Sequence, residues 1–106
     1  MPEVAQYLQG FGLSEGTVVA GYTLRKINIS HNALVRYHKY QYPTEMIWEG
    51  PEQSYGQFVS ALTNKLSASQ GIRTNYGNLY RCDFGALSFS GPGSTVHVNA
   101  TGICSR

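Results

Sequence analysis

Residues 16–44 read GTVVAGYTLRKINISHNALVRYHKYQYPT, and this stretch decides most of the predicted fold. Its β-branched and aromatic residues favour strands. The triplet at 30–32 is a polar break whose Asn suits the left-handed position of a three-residue hairpin loop. We therefore predict a β-hairpin with strands at Thr17–Ile29 and Ala33–Tyr42. Pro43 ends the second strand, because proline cannot donate a hydrogen bond to a sheet.

The same stretch contains no acidic residue, although it carries four Lys or Arg, two His and four Tyr. In the predicted hairpin one face is mostly apolar, and the other pairs Lys26 with Arg36. Like charges that lie directly opposite each other destabilise a sheet, and a bound anion would relieve the repulsion. The predicted ligand-binding face consists of Tyr22, Lys26, Arg36, His38, Tyr40 and Tyr42.

This face has the chemistry of a platform for single-stranded nucleic acid, since Lys and Arg hold phosphates and Tyr stacks on bases. The alternative is ordinary fold stability, in which Glu45, Glu49 or Glu52 folds back and pairs with the basic side chains. The net charge of +2 does not by itself imply nucleic-acid binding.

The strongest helical pattern is PEQSYGQFVSALTNKLSASQ, at residues 51–70. Pro51 suits the first position of a helix, and apolar side chains recur at helical spacing. These are Tyr55, Phe58, Val59, Leu62 and Leu66. A shorter helix is predicted at Pro2–Leu8, and two further strands at Leu79–Ser90 and Thr95–Cys104 enclose a Gly-Pro-Gly turn.

The two cysteines fall on these last strands. Matching the apolar faces places Cys82 opposite Ile103 and leaves Cys104 on the other face, which precludes a disulfide. A one-residue bulge at Gly85 or Gly102 would bring the sulfurs to the same side. With no leader segment evident, we predict reduced thiols and keep the disulfide as the alternative.

An enzymatic alternative comes from scattered acid–base candidates. Together they would form a set that cleaves phosphodiesters, in which a base, an acid and a cation act on one phosphate. The candidates are His31, His38, His97, Glu45, Glu49, Arg73 and Arg81.

The chain order His38, Glu49, Arg73 or Arg81, His97 resembles that of small microbial guanyl-specific ribonucleases. The Tyr-His-Lys-Tyr run at 37–40 adds to the likeness, which implies an RNA-cleaving hydrolase. The chain departs from that family because its main helix follows the first hairpin, whereas those enzymes place it before the catalytic strands. Its cysteine framework also differs from theirs.

The sequence therefore predicts one α+β domain over residues 1–106. An antiparallel sheet of four or five strands packs against one main helix at about residues 51–70, with a short N-terminal helix. Trp48 is expected in the core under the helix, and an interaction surface is the alternative.

The predicted function is a non-enzymatic module that binds an anionic ligand or single-stranded nucleic acid, without cofactor or metal. A self-associating structural or partner-binding protein and a ribonuclease-like hydrolase are the alternatives. Charged residues make up only 13% of the chain, so there is little repulsion between copies and a homo-oligomer is plausible. No apolar run reaches the ~20 residues that span a bilayer, and no signal peptide is evident, so we expect no membrane association and a cytoplasmic location.

Overall fold

Seven antiparallel strands form one curled sheet in the computed structural model of the chain, which describes residues 4–30 and 39–106. The strands are β1 (Val18–Val19), β2 (Tyr22–Ile29), β3 (Lys39–Glu49), β4 (Gln70–Arg73), β5 (Leu79–Phe84), β6 (Ser88–Phe89) and β7 (Thr95–Ser105). Their order in the sheet is β1-β2-β3-β7-β5-β4, and β6 also pairs with β7. The helices are α1 (Val4–Gly10) and α2 (Tyr55–Ser67), and a 3-10 turn at Glu52–Ser54 precedes α2.

The predicted four- or five-stranded sheet on one main helix is wrong, because strands dominate the structure and helices make up 22% of it. One reason is that α2 has 13 residues and ends where Ala68 adopts an extended backbone. Another is that the first predicted strand breaks at Ala20 and Gly21, whose φ angles of 46° and 84° form a tight turn. β1 and β2 are the two pieces.

The predicted pairing partner of the first strand is also wrong, and the predicted loop at 30–32 falls largely outside the described residues. β2 pairs with β3, and Ile29 lies opposite Thr44, so the connection between them includes residues 31–38, which lie outside the described part of the chain. Lys26 faces Ile47 across the sheet, so the predicted Lys26–Arg36 pairing is not formed with this strand. Arg36 itself is outside the described residues.

Pro43 does not end the strand as predicted, and the hydrogen-bond pattern explains why. The carbonyl oxygen of Pro43 accepts a hydrogen bond from the backbone N–H of Ser30, at 3.0 Å. In an antiparallel strand the nitrogen and carbonyl of one residue point to the same neighbour, so the proline nitrogen also faces the side of β2. β2 ends at Ile29, and the pairing between β3 and β7 therefore loses no hydrogen bond.

Both helices cover the concave face of the sheet through aromatic contacts. On α2, Phe58 stacks on Tyr22 and lies against Trp48, with ring centroids 4.4 and 5.1 Å apart. On α1, Tyr7 stacks on Tyr42 at 4.6 Å. All five rings are fully buried, so the prediction that Trp48 belongs to the core is confirmed.

Cys82 and Cys104 lie directly opposite each other on β5 and β7 and form a disulfide. The predicted register and the predicted reduced thiols are therefore wrong. Phe84 pairs with Gly102 whereas Ser88 pairs with Asn99, so one extra residue lies in the segment between β5 and β6. That segment contains the bulge position at Gly85 that the sequence offered as the alternative.

Candidate functional site

Two of the tyrosines predicted to bind ligand lie in the core. Tyr22 and Tyr42 have no exposed surface. The Tyr22 hydroxyl donates a hydrogen bond to the carbonyl oxygen of Gly93, at 2.7 Å. Burial, together with the neighbouring tyrosines, raises the pKa of Tyr42 to about 12. Neither side chain presents a ring to a ligand in this structure.

Of the other four predicted residues, the structure describes Lys26 and Tyr40, and it places them on opposite faces of the sheet. Lys26 is exposed on the outer face of β2. Tyr40 is half-buried on the inner face and meets the Tyr80 ring edge-on at 5.7 Å. Arg36 and His38 are outside the described residues and lie three residues and one residue before Lys39, the first residue of β3.

A group of basic side chains gathers at the end of the sheet where β3 and β5 begin and β4 and β7 finish. Lys39 and Arg81 both lie opposite Ser105, on either side of β7, so they share one face of the sheet about 10 Å apart. Arg73 lies opposite Leu79, two residues from Arg81, and shares this outer face. All three basic side chains are exposed.

Arg106 adds a fourth cation at the same end. Its Nη2 donates to Asn78 Oδ1 at 3.1 Å, and its guanidinium carbon lies 5.9 Å from the centre of the Tyr80 ring. Such a cation–π contact orients the guanidinium while leaving most of its donors available. We call Lys39, Arg73, Arg81 and Arg106 the basic end.

The basic end has no salt bridge within residues 4–30 and 39–106. The described Lys and Arg side chains make one ion pair, between Arg25 Nε and Glu49 Oε2 at 3.2 Å, and it lies at the other end of the sheet. Glu15 and Glu52 also lie toward that other end, and Asp83 on β5 is the nearest acidic residue of the described strands. Because β3 and β7 have 11 residues each, about 33 Å separates the two ends.

Asp83 shares the outer face of β5 with Arg81, about 7 Å away, and the other described carboxylates lie further along the sheet, so the four cations leave this end with a net positive charge. Exposed cations that are not paired with a carboxylate attract anions over roughly a Debye length, about 8–10 Å at physiological salt. Each Arg also presents a planar fork of donors that matches a phosphate or carboxylate. The arrangement therefore suits an extended anion more than a small neutral ligand.

A separate polar groove of about 530 Å³ crosses the outer face of β2, β3 and β7. Its polar lining residues are Asn28, Ser30, Thr44, Glu45, Ser88, Asn99 and Thr101. The Asn28 side-chain amide donates to Glu45 Oε1 at 3.2 Å, and His97 Nδ1 lies 3.8 Å from Glu45 Oε2. These contacts place two of the acid–base candidates next to each other.

The full ribonuclease-like set is not assembled by the described residues. Glu45 pairs with Asn99 on β7, whereas Arg81 pairs with Ser105, six residues and about 20 Å further along that strand. Glu49 is engaged by Arg25. Neither Arg73 nor Arg81 therefore lies at the groove, where a cation would stabilise a charged transition state. The hydrolase alternative stays a prediction.

No known protein family, curated protein or solved structure matches this chain. Among the described residues, no helix is long and apolar enough to cross a bilayer.

Proposed function

We propose that the chain is a non-enzymatic binding module that holds an anionic ligand at its basic end. The observation that carries the proposal is that Lys39, Arg73, Arg81 and Arg106 lie together with no described carboxylate within salt-bridge distance. The proposal keeps the ligand class predicted from the sequence and moves the site from the β2 face to this end.

The electrostatics explain why a polyanion is favoured over a small anion. A single exposed ion pair contributes roughly 0–1 kcal/mol, so no one contact at this surface holds a ligand. An extended anion meets several cations at once and releases condensed counterions, which makes binding strong at low salt and steeply salt-dependent. Arg36 and His38 are close in sequence to Lys39, and their part in binding stays a prediction.

Binding to a heparin fragment tests the proposal, because heparin carries sulfate and carboxylate groups but no aromatic bases. We expect the Lys39→Ala/Arg81→Ala variant to bind about 2- to 30-fold more weakly at low salt, since two exposed contacts are lost. Lys26→Ala is the matched control, because it removes one exposed charge about 26 Å along β3 from Lys39 and should change affinity less than about twofold.

Two outcomes contradict the proposal. If wild-type protein fails to bind heparin and single-stranded oligonucleotides at low salt, the basic end is not an anion-binding surface. If Lys26→Ala weakens binding more than the double variant does, the ligand lies on the β2 face predicted from the sequence.

Location and assembly remain proposals. The cytoplasmic location predicted from the sequence is opposed by the Cys82–Cys104 disulfide, because structural disulfides are rare where glutathione and thioredoxin keep thiols reduced. We therefore favour an oxidising compartment.

Self-association through the sheet edges at β1 or β4 stays a prediction, and a concentration-dependent mass in solution would support it.

A further inference from the structure

The turn between β4 and β5 places an aromatic ring beside the basic end. Three large hydrophobic side chains are strongly exposed in residues 4–30 and 39–106: Val18, Tyr76 and Leu79. Tyr76 and Leu79 belong to this turn and to the start of β5, and the Tyr76 side chain is 91% exposed. Contiguous exposed apolar surface with a polar rim marks a binding site, and here Tyr76 and Leu79 lie three residues apart beside the cations.

The turn is held in place by hydrogen bonds. The Thr74 backbone N–H donates to the Asn78 carbonyl at 2.8 Å, and the Gly77 N–H donates to the Thr74 carbonyl at 2.9 Å. The Asn78 N–H in turn donates to the buried Thr74 hydroxyl at 3.2 Å. Gly77 has a φ of 85°, which glycine adopts without steric cost. Tyr76 is therefore exposed on a structured turn.

Two members of the basic end also brace this turn. Arg73 Nη1 donates to the Gly77 carbonyl at 2.9 Å, and Arg106 Nη2 donates to Asn78 Oδ1 at 3.1 Å. Arg73, Arg106 and the backbone that carries Tyr76 are thus held relative to one another before any ligand arrives. Such preorganisation lowers the entropy lost on binding.

We infer that the ligand of the basic end is single-stranded nucleic acid, with an unpaired base stacked on Tyr76 and the phosphates held by the neighbouring cations. The inference rests on the proposed anion-binding function and names its ligand class. A base offers a flat π-face to an exposed tyrosine, and only an unpaired base is available to do so. A polyanion without bases would use the cations and leave Tyr76 without a role.

Fluorescence anisotropy with a short labelled oligothymidylate tests this inference against heparin and against a DNA duplex. Tyr76→Ala should weaken oligothymidylate binding about 5- to 150-fold, the range found for one stacked base. Tyr76→Phe should retain binding within about threefold, because the ring remains. Heparin binding should be unchanged in both variants, and the duplex should bind more weakly than the single strand.

Val18→Ala is a matched control, because Val18 is also exposed, at 62%, but lies on β1 at the other edge of the sheet. It should leave all three affinities unchanged. The inference is overturned, and the anion-binding function kept, if Lys39→Ala/Arg81→Ala weakens oligothymidylate binding while Tyr76→Ala does not. It is also overturned if heparin and the single strand bind equally tightly. If no polyanion binds, the proposed function itself is wrong.

Discussion

Removing the Cys82–Cys104 cross-link should lower the stability of the fold by about 3 kcal/mol. The bond joins residues 22 apart in sequence. In the chain-entropy treatment a loop of that size removes about 11 cal/mol/K from the unfolded chain, which is about 3 kcal/mol at room temperature. Domains of this size are stable by roughly 5–15 kcal/mol, so the loss is a large fraction of the total.

Urea unfolding of three samples measures this contribution: the oxidised protein, the reduced protein and the Cys82→Ala/Cys104→Ala variant. Reduction should lower the unfolding free energy by about 3 kcal/mol. The variant should lose at least as much, because both sulfurs are fully buried and their removal also leaves unfilled volume. The reduced protein is the matched control, since it lacks the cross-link but keeps both sulfur atoms.

Two results would refute the reasoning. Titration of two free thiols in the denatured, unreduced monomer would show that no disulfide forms, and the register of β5 on β7 would then be in question. Equal urea midpoints for the oxidised and reduced protein would show that the bond does not constrain the unfolded chain.

Three further predictions concern the core. Phe58→Ala should destabilise the fold by about 3–5 kcal/mol in urea unfolding, because its ring is buried between α2 and the sheet; a loss below 1 kcal/mol would contradict that packing. Burial raises the Tyr7 pKa to about 12, so the neutral hydroxyl stabilises the fold fully below pH 10. Between about pH 10 and 12 the free energy of unfolding should fall, by at most ~1.4 kcal/mol per pH unit. The urea midpoint should fall less steeply across that range in Tyr7→Phe. Gly50→Ala should destabilise the fold by roughly 1–3 kcal/mol, because the new methyl group would lie 2.5 Å from the Tyr22 ring. In the control variant Gly56→Ala, on α2, the new methyl group meets nothing within 4 Å, so the urea midpoint should rise.

Some elements of the fold follow directly from local sequence patterns. The apolar spacing at Phe58, Leu62 and Leu66 predicted the buried face of α2, and those three side chains are buried. The last strand was predicted at Thr95–Cys104 and is observed at Thr95–Ser105. In both segments the local pattern agrees with the tertiary contacts, so local reasoning is sufficient.

The strand register could not be predicted in the same way. A β-rich segment with polar breaks allows several strand registers. Since the length of the loop between β2 and β3 depends on which residues pair, the loop could not be predicted without the register. Pro43 was assumed to end a strand, although its nitrogen faces the side on which β2 finishes and the sheet continues past it. The predicted register therefore paired Lys26 with Arg36, whereas Lys26 lies opposite Ile47 in the pairing of β2 with β3.

The basic end was missed for the same reason. The sequence patterns place Arg73 and Arg81 only among the candidates for a catalytic set, and no predicted strand pairing brings them next to Lys39. A disulfide assumed between Cys82 and Cys104 would have aligned β5 with β7 and placed Arg81 beside Ser105. The cysteine pair was therefore the sequence signal that could have located the site.

Amide chemical shifts in a ¹H–¹⁵N NMR titration with oligothymidylate at low salt test the central claim most directly. Binding at the basic end should shift the amides of Lys39, Arg81, Ser105 and the turn at 74–78, and leave those of β2 at 22–28 unchanged. Shifts concentrated on β2, in the groove around Glu45, or nowhere at saturating oligonucleotide would contradict the claim.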